Sequence, residues 1–254
     1  MVGANFSHAK ERAMPREYFT PATLRFLRAL AKHNDRTWFL AHKAQYDETL
    51  RLPFLRLIGD LAEPLRKISP HYVADPKPVG GSLFRIHRDT RFAKDKTPYK
   101  TWASAQFFHE ATRNAPRADD TGDGRGRLDA PVFYLHVQPG QGFTGGGLWH
   151  PQPQALQRVR DYMVGNPRSW KSATRSPRFR KLYELGGEAL SRPPRGFDPA
   201  HELIEELKRK SFTGSTPLSD AELLSPKLPA LLIRRWTVLT PLMDWLCGAL
   251  ELDF

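Results

Sequence analysis

The stretch GGSLFRIHRDTRFAKDKTPYKTW, residues 80–102, concentrates side chains that hold anions. Arg85, Arg88, Arg91, Lys94, Lys96 and Lys100 oppose only Asp89 and Asp95 there. Such an excess of cations repels itself unless the groups are fully solvated or share an anion. Phe84, Ile86, Phe92, Pro98, Tyr99 and Trp102 are interleaved with them, which ties the stretch to a packed surface and argues against a solvated basic loop. A guanidinium grips carboxylate or phosphate oxygens as a bidentate fork, and an ammonium adds a compact point charge. We therefore expect an anion site made by Arg85, Arg88, Arg91, Lys96 and Lys100. Asp89 and Asp95 are expected to pair with arginines and fix their rotamers. Neighbouring cations lower a carboxylate's pKa, which makes it a poor base. Tyr99, Tyr134, His136 and Trp149 are expected to support the site.

These side chains need a scaffold, and the hydrophobic periodicity supplies one. From Thr20, Pro21 suits a first helical position, and Phe26, Leu27, Leu30 and Ala31 fall on one helical face. Asn34 or Asp35 can cap a second helix, in which Phe39, His42, Tyr46, Leu50, Phe54, Leu57, Leu61, Leu65 and Ile68 recur at spacings of three and four, with Pro53 kinking or splitting the run. At Gly80 the period becomes alternating. Strands are expected at SLFRI, from Trp102 to Phe108 and from Val132 to Gln138. Paired as an antiparallel meander, they put Arg85, His87, Ser104, Gln106, Tyr134 and His136 on one face and Phe84, Phe107 and Leu135 on the other. Residues 109–131, rich in Gly, Pro and Asp, read as a long loop insertion. Further helices are expected from near Pro153 to Asn166, around 176–185, 200–209 and 229–250, the last interrupted at Pro241. Helices at both ends enclosing a central antiparallel sheet make the expected class α+β, because strands and helices do not alternate. Residues 1–19 read as a disordered leader and 20–254 as a single domain.

Other motifs are weaker. Gly145, Gly146 and Gly147 fit neither a P-loop nor a dinucleotide fingerprint and read as a tight turn that brings Trp149 and His150 toward the sheet. The nine histidines contain no HExxH or close His-x-His pair, and DDTGDG lacks the full calcium loop with its terminal glutamate, so neither a metal nor a cofactor is expected. There is no GxSxG, and Cys247 lies in an apolar helical context suited to a buried thiol. Residues 167–181 carry Arg168, Lys171, Arg175, Arg178, Arg180 and Lys181 around Trp170 and Phe179, which raises nucleic-acid binding as an alternative.

At 254 residues, 40% hydrophobic and 26% charged, the composition is that of a globular chain rather than a disordered or fibrous one. The 39 basic and 27 acidic residues leave +12, which favours anionic partners. A single cysteine excludes an intramolecular disulfide, and no apolar run is long enough to span a membrane, so a cytoplasmic protein without membrane attachment is expected.

RIHRDTRFAKDKTPYKT, with HNDRTWFLAHKAQY upstream and GGGLWHPQPQALQRVR and RPPRGFDPAHELIEELKRKSF downstream, resembles the DUF2461 family of uncharacterised proteins. The resemblance runs in order from about Thr20 to the C-terminus and implies a single unit but no activity. The chain departs from the usual pattern in the 109–131 insertion and at Glu202, where a proline commonly follows the histidine. The leading expectation is binding of a small phosphorylated or carboxylated ligand, with enzymatic action on it left open. The alternatives are a nucleic-acid-associated protein and an adaptor whose basic motif packs against acidic helices.

Overall fold

The computed structural model describes residues 17–91, 93–113 and 129–254. The expected leader lies outside these residues up to Arg16. Its last residues are anchored: Phe19 is fully buried edge-on against Phe54, and the Tyr18 hydroxyl donates to Asp60 at 2.6 Å. Most of the expected insertion also lies outside. Its first residue, His109, closes a strand, and Glu110–Thr112 form one tight turn.

Helix α1, Pro21–Lys32, buries Leu24, Phe26, Leu27 and Leu30, while Ala31 is exposed. Asp35 caps α2, Arg36–Ala41, by accepting the Trp38 amide at 2.8 Å. Helix α3, Lys43–Tyr46, runs through a widened π turn, Asp47–Arg51, into α4, Leu52–Arg66. The expected break falls here for a specific reason. Pro53 has no amide to offer the Thr49 carbonyl one turn back. Thr23 of α1 replaces it, donating its hydroxyl to that carbonyl at 2.6 Å.

Six strands form one antiparallel sheet in the order β1-β2-β3-β4-β6-β5. They are β1, Tyr72–Val73; β2, Ala103–His109; β3, Val132–Val137; β4, Gly142–Leu148; β5, Glu184–Gly186; and β6, Phe212–Leu218. The remaining helices are α5, Pro153–Gly165; α6, Pro167–Arg175; α7, Pro177–Leu182; α8, Ile204–Leu207; α9, Asp220–Leu223; and α10, Leu228–Ala249. The fold is thus α+β, a central antiparallel sheet flanked by N-terminal and C-terminal helices.

Helix α10 lies across β4 on the inner face of the sheet, and α4, α5, α6 and α7 pack around it. At its centre Trp236 sits 4.7 Å from Phe107 and 5.3 Å from Phe133, ring centre to ring centre. Cys247 is buried beside the Tyr72 hydroxyl, and burial pushes its thiol up to about 11. Pro241 stands inside α10.

Several expectations are corrected. Gly145, Gly146 and Gly147 are not a turn but the middle of β4, held between β3 and β6. A Cβ on Gly147 would lie 2.1 Å from the Phe212 carbonyl oxygen, and one on Gly145 would lie 2.3 Å from that of Gly214. Glycine therefore permits the close approach of β4 and β6. The helix expected around 176–185 ends at Leu182, after which the chain enters β5, and the one expected over 200–209 is reduced to the single turn of α8. SLFRI is not a regular strand. Only Leu83 bridges to Ala105, and the buried apolar positions are Leu83 and Ile86, three apart.

That bridge decides which side chains share a face. Leu83 joins Ala105, Phe107, Phe133 and Leu135 on the inner face. Phe84 therefore turns outward beside Ser104, against the expectation that it lines the core, and its ring stands 6.4 Å from that of Tyr134. Ser104 pairs with His136 and Gln106 with Tyr134 across β2 and β3, so these four do share the outer face.

Candidate functional site

The segment 82–100 leaves the edge of β2 and returns to it. Phe84 donates its amide to the Ser104 carbonyl, and Gln106 donates to that of Ser82, both at 3.0 Å. The two arms then bond to each other, Lys100 to the Ile86 carbonyl and Arg88 to that of Pro98, both at 2.8 Å. Asn34, the residue just before the α2 cap, clamps the returning arm. Its side-chain amide donates to the Tyr99 carbonyl at 2.9 Å, and its oxygen accepts the Tyr99 amide at 3.0 Å. Phe39 stacks on the Tyr99 ring at 4.1 Å. Tyr99 is thus an anchor, 4% exposed, rather than a wall of the site.

At the tip, the expected pairing of carboxylates with arginines is present. Arg91 grips Asp89 through Nε at 3.0 Å and Nη2 at 2.6 Å, and the Arg91 amide adds a third bond to the same carboxylate. Arg88 donates to Asp95 and to the Thr97 hydroxyl, while Asp95 accepts the Thr97 amide at 2.9 Å. Lys96 donates to the Thr90 carbonyl at 2.9 Å. Three of the five cations expected to hold an anion therefore brace the tip itself. Bonds from Arg91 hold Asp89 at about 2, and those from Thr97 and Arg88 hold Asp95 at about 2.

This gives an acid-sensitivity prediction. Both carboxylates are depressed by folding, so their contribution is complete above the ordinary aspartate range and is lost as pH falls toward 2. The Thr97 amide resonance should shift with a midpoint near 2. A midpoint near the ordinary aspartate value would mean that the bracing is not populated in solution.

Lys100 lies at the base of the segment, next to the outer sheet face, and Arg85 is near His87 and Asp89. The Lys100 ammonium is 5.4 Å from the Phe84 ring centre. His87, packed against Phe39 and Tyr99, is lowered first by desolvation and then by the Arg85 and Lys100 charges.

On the outer face, His136 is stacked between Phe143 at 4.7 Å and Trp102 at 5.7 Å, so its ring is held from both sides. Its Nε2 lies 2.8 Å from the Gln138 side-chain oxygen and its Nδ1 3.4 Å from the Tyr134 hydroxyl. With that oxygen as acceptor, Nε2 carries the proton and Nδ1 presents a lone pair toward Tyr134. Burial lowers the His136 pKa, partly opposed by the Gln138 bond, which keeps the ring neutral at pH 7. Ser104 and Gln106 are each 4% exposed, and neither is among the described residues that hold a buried side-chain polar atom without a partner.

The structure thus brings Lys100, Tyr134 and His136 to one region through the Phe84 ring, whereas Arg85, expected on the same face, is placed by its charge near His87 and Asp89. Arg88, Arg91, Lys96, Asp89 and Asp95 form the tip, and Tyr99 anchors it. Trp149 does not join them. It follows the far end of β4, six residues beyond Phe143, roughly 20 Å at strand spacing. It is 46% exposed there and packs edge-on to His150. The sequence reading missed Phe84, Trp102 and Phe143 as members of this face. Alternation in Val132–Gln138 already puts Gln138 on the face of Tyr134 and His136, whereas Phe143 sits in a glycine-rich run with no strand pattern.

The basic segment 167–181 presents fewer groups than its sequence suggests. Trp170 and Phe179 are in the core, Lys171 pairs with Glu202, and Arg175 pairs with Glu206 at 2.8 Å. Among the described residues, no group of three or more His, Cys, Asp or Glu side chains could hold a metal ion, and no helix is long and apolar enough to cross a membrane.

No curated protein and no solved structure matches the chain. The family described as conserved hypothetical protein (DUF2461) matches over residues 22–245, a span that contains the hairpin tip, the outer sheet face and nearly all of α10. The chain belongs to the DUF2461 family.

Proposed function

We propose that this protein binds a small phosphorylated or carboxylated molecule on the outer face of its sheet, with Lys100 and Arg85 as the anion-holding cations. The observation that carries this reading is the approach of Lys100 to Phe84, whose ring stands by Tyr134 beside the buried polar side chains Ser104, Gln106 and His136 on the face opposite α10. A cation beside a low-polarity surface attracts an anion more strongly than one in open solvent. Arg88, Arg91 and Lys96 then serve indirectly, by giving the segment a defined shape. The single buried cysteine agrees with a cytoplasmic location.

The nucleic-acid alternative is weakened by the burial of Trp170 and Phe179, which removes the rings that would stack on bases. Calorimetric titration with inorganic phosphate and with citrate tests the proposal. Lys100→Ala and Arg85→Ala should each weaken the better of the two by about 10-fold or more, as expected for losing one charge-assisted bond. Arg178→Ala, remote in the basic segment, should leave it unchanged. Equal affinities in wild type and both site variants would overturn the assignment. A steep fall in affinity with salt for oligonucleotides, with no binding of either small anion, would favour the alternative.

A further inference from the structure

We infer that a groove along α4, made of other residues than the anion site, binds a linear organic polycation of the polyamine kind, a methylene chain that carries ammonium groups along its length.

The groove has a volume of about 680 Å3, within the range of small-molecule sites. Its floor is one face of the helical run that leads from the π turn into α4. Glu48, Leu52, Leu55 and Gly59 recur there at spacings of four, three and four. Tyr18, ahead of α1, and Pro76, after β1, complete it.

Gly59 marks the floor as open. Glycine is a poor helix former, and it stands here inside α4. Unlike Gly145 and Gly147, it is not required by a close backbone approach. An added Cβ would meet nothing nearer than the Pro76 ring at 3.9 Å, an ordinary contact, and Gly59 is not among the glycines with positive φ. The space that its missing side chain leaves belongs to the groove.

The charge of the groove runs against that of the chain. The protein carries +12, yet the charged side chains here are Glu17, Glu48, Asp60 and Arg56, three carboxylates to one guanidinium. Glu48 and Asp60 are both exposed and lie twelve positions apart on the helical run, about 18 Å at the rise of an α-helix. Leu52 and Leu55 lie between them, and Leu52 is 53% exposed. The order is therefore acid, apolar, acid along one line. A metal ion would use a carboxylate but none of the apolar surface, and a monoamine would reach only one end. An extended polyamine lays its methylenes along the leucines, as a lysine stem does on an apolar surface, and places an ammonium at each carboxylate. Asp60 is already oriented at its end of the groove. It accepts the Tyr18 hydroxyl at 2.6 Å, and a carboxylate has further lone pairs for an ammonium. The positive charge of the rest of the chain is screened beyond about 8 Å at physiological salt, so the local carboxylates dominate. Arg56 alone opposes the guest.

The test is calorimetric titration of the full chain with spermine, magnesium chloride, n-hexylamine and tetralysine at one fixed ionic strength. Spermine should bind at least about 10-fold more tightly than magnesium or hexylamine, because it alone joins several charges to an apolar chain. Glu48→Gln and Asp60→Asn should each weaken spermine by about threefold, the scale of one exposed ion pair, and Arg56→Gln should strengthen it by about as much. Gly59→Leu, which fills the floor, should remove it. Both carboxylates are exposed, so their variants keep the fold and hold the test open if Gly59→Leu does not fold. Gly59→Ala should fold and melt about 2 to 4 °C higher than wild type. Lys100→Ala should leave spermine binding unchanged, which separates this groove from the anion site. No binding of spermine, spermine no better than magnesium, or spermine affinity unaltered in both carboxylate variants would each overturn the inference. Tetralysine binding more tightly than spermine would also overturn it, in favour of a groove for a basic peptide.

Discussion

Gly147→Ala is expected to destabilise the protein by about 3 to 5 kcal/mol, combining the cost of a side chain at positive φ with that of overpacking. Gly147 has φ 133, and its added Cβ would lie 2.1 Å from the Phe212 oxygen and 2.7 Å from the Thr213 Cα. Those atoms belong to β6 backbone, which cannot turn aside as the end of a flexible side chain could. Gly140→Ala is the matched control. It also has positive φ, 71, but nothing lies within 4 Å of its Cβ, so only the conformational cost of about 1 kcal/mol applies. Urea denaturation of the two variants separates the terms. Equal midpoints would show that β4 and β6 are not in such close contact in solution. The consequence reaches the site, because β4 holds β3 in place and carries Phe143 against His136.

Trp236→Ala should cost about 3 to 5 kcal/mol, the range for removing a large buried aromatic side chain. Such a loss approaches the whole stability of many domains, so soluble yield should fall with it. Trp236 is fully buried between Phe107 and Phe133, and its indole nitrogen donates to Thr144 Oγ1 at 2.8 Å. Thr144 in turn donates to the Tyr134 carbonyl at 2.7 Å. The indole therefore braces the strand that presents Tyr134 and His136 on the opposite face. Trp236→Phe keeps most of the ring and removes the donor, leaving Thr144 one partner short, and should cost about 1 to 2 kcal/mol. Thermal and urea unfolding of both variants measure the difference. A Trp236→Phe cost as large as that of alanine would assign the effect to the hydrogen bond rather than to packing.

Residues 20–66 and 228–249 were legible as helices because a helix is closed by bonds between near neighbours, and its buried face repeats within a few residues. The cap at Asp35 and the break before Pro53 belong to the same local chemistry. So does the pairing at the hairpin tip, where Asp89 reaches Arg91 and Asp95 reaches Thr97 two positions away. The basic stretch, and the role of its aspartates as partners for arginine, could therefore be read from residue type and spacing alone. So could the shared face of Ser104, Gln106, Tyr134 and His136, since alternation is a property of each strand by itself.

Tertiary structure decided everything that depends on a partner far along the chain. Glycine carries no strand preference, so β4 exists only because β3 and β6 flank it with unpaired backbone groups, and its neighbour β6 was equally hidden. Phe84 faces outward because Leu83, not Phe84, meets Ala105, and a shift of one residue moves every side chain to the other face. Trp149 is separated from His136 by the length of β4, a distance that no motif spacing records. The division of the cations between the tip and the base was hidden for the same reason. Arg88, Arg91 and Lys96 look like Lys100 in sequence, and only the return of the chain to β2 leaves Lys100 beside the buried polar side chains while the others close on Asp95, Asp89 and the Thr90 carbonyl. Residue type sets which charge a side chain carries, but the register of strands and the closure of loops set what that charge meets.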